Sequence, residues 1–174
     1  MQTDNLILTG FRATGKTSVG RIVAARLRWD FCDTDELARQ RLGAPIAEIV
    51  ARHGWPFFRA AEAQLLRELV AMRHTVLATG GGAIEHETEW RGLRQCALVV
   101  WLDADNDTIR RRLQADPDSG HQRPSLTGQA VADEIELLLE RRQPMYAAGS
   151  DLRLDTAGST PDQLADAIIQ NIRR

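Results

Sequence analysis

The chain has 174 residues, the size of one domain of about 100–200 residues with its own core. Apolar residues make up 43% and charged residues 26%, a globular composition rather than a disordered or coiled-coil one. The net charge of −2 argues against the broad basic face of a nucleic-acid binder, and the longest apolar run, Cys96 to Leu102, falls far short of the about twenty residues of a membrane helix.

The opening Met1 to Asn5 is polar and lacks a basic n-region followed by an apolar h-region, so a cytoplasmic protein without a secretory leader is expected. Leu6-Ile7-Leu8 is a short apolar strand. Gly10 to Gly15 is a glycine-bounded loop, after which Val19, Ile22, Val23 and Leu27 recur at helical spacing. Asp30-Phe31-Cys32 forms a second strand that ends at Asp33. Helices follow from Glu36 to Met72, broken near Gly43-Ala44-Pro45 and near Gly54-Trp55-Pro56. Thr75 to Ala78 is a third strand, closed by Gly80-Gly81-Gly82. Ala97 to Leu102 is a fourth, continuously apolar as a buried parallel strand should be. Thr108 to Ala115 is helical, and Asp116 to Arg123 is a polar loop before Pro124. Ala130 to Tyr146 is a long helix and Leu152 to Leu154 the last strand. Thr160-Pro161-Asp162-Gln163 opens the final helix with an N-cap, a proline at the first position and a capping-box partner. This alternation predicts an α/β fold with a largely parallel sheet. Cys32 and Cys96 match no metal or redox spacing and are expected as buried free thiols.

The strongest local signal is Gly10-Phe11-Arg12-Ala13-Thr14-Gly15-Lys16-Thr17, which fits G-x-x-x-x-G-K-[ST] between a strand and a helix. Glycines let backbone N–H groups turn inward, and the helix N-terminus adds partial positive charge for phosphates. Lys16 can reach the β- and γ-phosphates as a compact point charge, and Thr17 offers a hydroxyl to Mg²⁺. Of the 22 basic residues, Lys16 is the one lysine and the rest are arginine. An arginine-rich codon bias explains the shortage of lysine but not the position of the survivor.

Asp33-Thr34-Asp35 follows the second strand, with both carboxylates on one side of an extended segment. Asp33 can hold Mg²⁺ through water and Asp35 can orient or deprotonate a substrate hydroxyl; Asp33 or Thr34 can also serve as a plain helix N-cap. Arg59 stands early in a helix with Glu62 three residues on, a spacing that also suits a solvated surface pair. Gly80, Gly81 and Gly82 directly after a strand suit a ligand that approaches the main chain closely. Arg123 could be brought to the phosphates by closure of its loop, or that loop could be a surface turn. Arg142 and Tyr146, at i and i+4, could be a stacked surface pair. The histidines His53, His74, His86 and His121 show no ligand spacing and are expected on the surface or in loops.

Taken together, these motifs resemble shikimate kinase. The resemblance runs from about Leu6 to the C-terminus and is carried by G-F-R-A-T-G-K-T-S-V-G at Gly10–Gly20, D-T-D at Asp33–Asp35, F-R-A-A-E at Phe58–Glu62, A-T-G-G-G at Ala78–Gly82, R-P-S-L-T-G at Arg123–Gly128 and R-Q-P-M-Y at Arg142–Tyr146. It implies a P-loop, nucleoside-monophosphate-kinase-like three-layer fold: a five-stranded parallel sheet flanked by helices. It implies a single kinase domain over residues 1–174, with a substrate-binding helical insert at about 34–62 and a lid at about 113–127. The implied reaction moves the ATP γ-phosphoryl group to the 3-hydroxyl of shikimate, giving shikimate 3-phosphate and ADP, in aromatic amino-acid biosynthesis. In that scheme Gly10, Arg12, Ala13, Thr14, Gly15, Lys16, Thr17 and Ser18 surround the ATP phosphates, and Thr17 and Asp33 serve Mg²⁺. Asp35 contacts the reacting hydroxyl, Arg59 and Arg142 hold the substrate carboxylate, and Gly80, with Gly81 and Gly82, meets substrate through the backbone. Arg123 reaches ATP from the lid, and Arg112 lies near the adenine. The chain reads Arg123-Pro124-Ser125-Leu126 where many members read R-P-L-L, and its lid is longer, as in the subtype with R-P-[ST]-L-T-G. The partner implied is a small-molecule substrate, with no nucleic acid or membrane, and a monomer is expected. Two other readings share the phosphate loop: a gluconate kinase of the same fold, and a noncatalytic ATP-binding switch.

Overall fold

The structure, a computed structural model, describes residues 4–115 and 131–173, with the backbone alone at 131–133. Five strands form one sheet: β1 (Asn5–Thr9), β2 (Asp30–Asp33), β3 (Thr75–Ala78), β4 (Leu98–Asp103) and β5 (Leu152–Asp155). Their order is β2-β3-β1-β4-β5 and every pairing is parallel. The helices are α1 (Lys16–Leu27), α2 (Thr34–Leu42), α3 (Ile46–Leu69), α4 (Glu87–Arg94), α5 (Asn106–Ala115), α6 (Val131–Gly149) and α7 (Pro161–Ile172), with a 3-10 turn at Ala83–Glu85. This is the three-layer α/β fold expected. Among the described residues no helix is long and apolar enough to cross a membrane.

Side chains alternate along β1 and so divide the core between the two faces of the sheet. Leu6 and Leu8 pack with Val19, Val23 and Ile168 under α1 and α7. Ile7 points the other way, to Leu66, Leu77 and Trp101 under α3, α4 and α6. Burial of each such side chain contributes about 1.5–3 kcal/mol. Register is pinned at the N-terminal edge by Asn5. Its amide donates to the Met72 and Cys96 carbonyls at 3.0 Å each, and its oxygen accepts from Thr75 N–H at 3.2 Å. At the opposite edge Leu8 and Asp33 both pair with Ala78, and Thr9 pairs with Trp101. Parallel strands in this register deliver the loops after β1, β2, β3 and β4 to one end of the sheet, where α/β proteins bind ligands.

Several boundaries differ from the expectation. α2 begins at Thr34 rather than Glu36, because Asp33 caps it: its Oδ1 accepts from Asp35 N–H at 3.0 Å. The break expected near Gly54-Trp55-Pro56 is present as a kink inside α3, where Gly54 takes a non-helical φ of 81°. α4 was not foreseen, since only Trp90 and Leu93 mark its buried face. The capping box of α7 forms as expected, Thr160 with Gln163. Cys32 and Cys96 are free thiols but only partly buried. Desolvation raises the pKa of both; beside Cys32 the charge of Asp30 adds to it.

Candidate active site

The loop between β1 and α1 turns through three positive-φ residues, Gly10 (135°), Ala13 (63°) and Gly15 (90°). Gly10 has no alternative: a Cβ there would collide with the Leu102 carbonyl oxygen on β4. Lys16 begins α1 and is buried; its Nζ donates to the Gly10 and Phe11 carbonyls at 2.9 and 2.6 Å. Thr14 Oγ1 donates to Phe11 O at 2.8 Å, and Arg12 lies 5.7 Å from the Phe11 ring centre. Thr17 and Ser18 are exposed at the helix start. Arg112 reaches over from α5, donating to Ala13 O at 3.2 Å and to Thr156 Oγ1 and O at 2.9 and 2.7 Å. It ties the strained loop residue to the segment after β5. The carboxylate of Asp105 caps α5 at Thr108 N–H, and that hydrogen bond holds it below the usual carboxylate range.

Asp33 uses both of its carboxylate oxygens. Oδ1 caps α2, while Oδ2 accepts from the Thr17 hydroxyl at 2.8 Å. The loops after β1 and β2 are thereby joined by a hydroxyl and a carboxylate. Asp35 stands in the first turn of α2 beside Thr34, whose hydroxyl accepts from Gly80 N–H at 2.7 Å. This third link brings the glycine triplet to the same edge. A Cβ at Gly81 would come 3.5 Å from Gly10 O and 3.6 Å from Arg12 N, so the triplet lies against the phosphate loop.

Arg59 and Glu62 are not a solvated surface pair. Nη1 of Arg59 meets Glu62 Oε2 at 2.5 Å, and the side chains are 20% and 2% exposed. Glu62 Oε2 is also 2.9 Å from His86 Nε2, so His86 lies in a loop but is not a plain surface histidine. The Arg59 guanidinium lies 5.5 Å from the Trp55 ring centre and covers Gly82. Nor are Arg142 and Tyr146 a surface pair, for both are buried. Tyr146 donates to Gly81 O at 2.5 Å, and Arg142 donates through Nε and Nη2 to Glu85 Oε1 and Oε2 at 3.2 and 3.4 Å. Nη2 of Arg59 lies 3.5 Å from the same Glu85 Oε2. Two guanidiniums from α3 and α6 therefore converge on one carboxylate beside the glycine triplet. Glu85 was not singled out from the sequence, because nothing in its own neighbourhood marks it. Arg123, and residues 116–127 of the lid expected at about 113–127, lie outside the described residues.

The fold and this arrangement define a P-loop kinase: a phosphate loop on one side, and on the other two sheltered arginines paired with Glu62 and Glu85. Comparison with known proteins specifies the family. A sequence profile of shikimate kinase matches residues 12–173. The chain is 44% identical over 142 residues to the shikimate kinase of Nitratidesulfovibrio vulgaris, covering 82% of this chain and 81% of that one. It is 40% identical over 169 residues to the shikimate kinase of Moorella thermoacetica, covering 97% and 94%. Among solved structures, the shikimate kinase from Acinetobacter baumannii in complex with shikimate matches with a TM-score of 0.90 and 32% identity, covering 98% of this chain and 93% of that one. The chain belongs to the shikimate kinase family and is an ATP-dependent kinase of a small molecule.

Proposed function

We propose that this chain transfers the γ-phosphoryl group of ATP to the 3-hydroxyl of shikimate and releases shikimate 3-phosphate and ADP. The observation that carries this reading is the convergence of Arg59 and Arg142 on a carboxylate position whose glycine floor touches the phosphate loop. A planar guanidinium grips a carboxylate bidentately, so the pair fits the acid group of shikimate and sets the ring's orientation. Gly80, held by Thr34, and Gly81 and Gly82 supply a floor without side chains.

In the transfer a bond forms between the acceptor oxygen and the γ-phosphorus as the bridge to the β-phosphate breaks; the hydroxyl proton passes to Asp35. The transition state is loose, so positioning and charge neutralisation carry most of the acceleration. Asp35 positions the hydroxyl first and accepts its proton second. Lys16 exchanges its loop carbonyls for phosphate oxygens, and the loop amides with Arg12, Ala13, Thr14 and Ser18 surround them. Arg123 closes on the phosphates and Arg112 backs the adenine side. A divalent ion fits the Thr17–Asp33 contact. Among the described residues no group of three or more His, Cys, Asp or Glu side chains could hold a metal, so most of its oxygens would come from phosphates and water, as Mg²⁺ prefers. When bound, Mg²⁺ supplies charge neutralisation on the phosphates. The domain acts as a cytoplasmic monomer, with residues 34–62 as substrate insert and 113–127 as lid.

The test is ADP release with ATP and Mg²⁺, with shikimate, with gluconate and with no acceptor. Release with shikimate alone is expected. Release with gluconate alone would overturn shikimate as the acceptor, while leaving the carboxylate roles of Arg59 and Arg142 standing, because gluconate carries a carboxylate too.

A further inference from the structure

Glu85 has no part in the transfer derived above, yet it sits at the centre of the site's charges. It ends the 3-10 turn that follows the glycine triplet, and its side chain is 16% exposed. Arg142 gives it Nε and Nη2 together, the edge with which a guanidinium grips a carboxylate in bidentate fashion. Arg59 adds Nη2 at 3.5 Å, and Arg141 brings Nε to Oε1 at 3.4 Å. The contact that a substrate's carboxylate needs is thus already made, by a carboxylate of the chain itself.

The charge balance gives this a consequence. Two sheltered guanidiniums, Arg59 and Arg142, face two sheltered carboxylates, Glu62 and Glu85. A further anion gains little attraction there unless one carboxylate moves away. Glu62 is the fixed one: it is 2% exposed, lies well inside a long helix, and is held by Arg59 at 2.5 Å and His86 at 2.9 Å. Glu85 stands on a three-residue turn, and Arg141, 67% exposed, touches it from the rim.

We propose that Glu85 is a resident counter-anion. It holds Arg59 and Arg142 together before substrate arrives, then yields the Arg142 edge to the substrate's carboxylate and moves toward Arg141. One carboxylate is exchanged for another, which suits the site to an acceptor bearing a single carboxylate. This inference rests on the carboxylate roles proposed above for Arg59 and Arg142.

The experiment measures shikimate binding by calorimetry, and KM for shikimate and for ATP, on the full chain. Glu85→Gln keeps the length and an oxygen for Arg142 but removes the competing charge. Its shikimate Kd and KM fall about two- to fivefold, the size of one partly screened ion pair, while KM for ATP stays put. Benzoate, a plain monocarboxylate, becomes a stronger competitor of shikimate by a similar factor. Glu85→Asp, which draws the charge back by one carbon–carbon bond, lowers the shikimate KM in the same direction and serves if the glutamine variant folds poorly. Arg141→Gln raises the shikimate KM about twofold in the unmutated background and has no effect in Glu85→Gln. A shikimate KM that stays level or rises in both Glu85 variants overturns the proposal, since Glu85 would then only hold the arginines in place. An Arg141 effect that is equal in the two backgrounds overturns the movement toward the rim. These results leave the reaction itself standing, because that depends on acceptor-dependent ADP release by the unmutated chain.

Discussion

Replacing Gly82 with alanine separates the work of Arg59 from the stability of the fold. Gly82 has φ −95° and ψ −3°, which alanine adopts without strain. The change limits the unfolded chain and by itself stabilises by about 0.4–1 kcal/mol. The new methyl group would lie 2.5 Å from Arg59 Nη2 and 2.8 Å from its Cζ, and closer still to Nη1. Carbon makes ordinary contacts at about 3.5–4.0 Å, so the guanidinium must retreat by roughly 1 Å. It is the far end of a flexible side chain, so the fold absorbs the move; the carboxylate grip does not. A misplacement of about 1 Å costs on the order of 100-fold, or about 2.7 kcal/mol of transition-state stabilisation. The assay is coupled ADP release at saturating ATP with shikimate varied, beside a thermal melt. We expect kcat/KM for shikimate to fall about 100-fold, KM for ATP to stay level, and Tm to change by less than about 3 °C. An unchanged kcat/KM for shikimate in a folded Gly82→Ala protein would refute the reasoning.

Three other outcomes follow from the same contacts. Asp35→Asn lowers kcat by about 10²–10⁴-fold with little change in ATP affinity, checked by steady-state kinetics and nucleotide titration. Asp33→Asn keeps the cap of α2, since asparagine caps as well as aspartate, so Tm holds while the Mg²⁺ concentration for half-maximal rate rises about tenfold or more. Tyr146→Phe strands the Gly81 carbonyl in a buried place, costs about 1–2 kcal/mol, and lowers Tm by about 2–8 °C in a calorimetric scan.

The phosphate loop, the aspartates after β2 and the glycine triplet were legible because each is a contiguous run whose backbone demands show in residue type. Glycine at positions 10 and 15 announces the positive φ that the loop adopts. The strand alternation was legible too, since buried parallel strands read as plain apolar runs. What stayed hidden depends on partners distant in the chain. Arg59 and Glu62 look like any i, i+3 pair; packing of α3 on the glycine loop is what buries them. Glu85 lies 57 residues from Arg142, and no local spacing links the two. α4 is eight residues long with two buried apolar positions, too few to set a period. His86 looks solvated in sequence and is pulled to Glu62 by the turn before α4.

The most direct test of the account compares shikimate with its methyl ester as acceptors, in wild type and in Arg59→Ala. The ester keeps every hydroxyl and loses only the charge that Arg59 and Arg142 are proposed to hold. The account expects kcat/KM to drop about 100-fold or more for the ester in wild type, and the ester-to-acid difference to shrink in Arg59→Ala. An ester phosphorylated as well as the acid by the wild-type protein would contradict it.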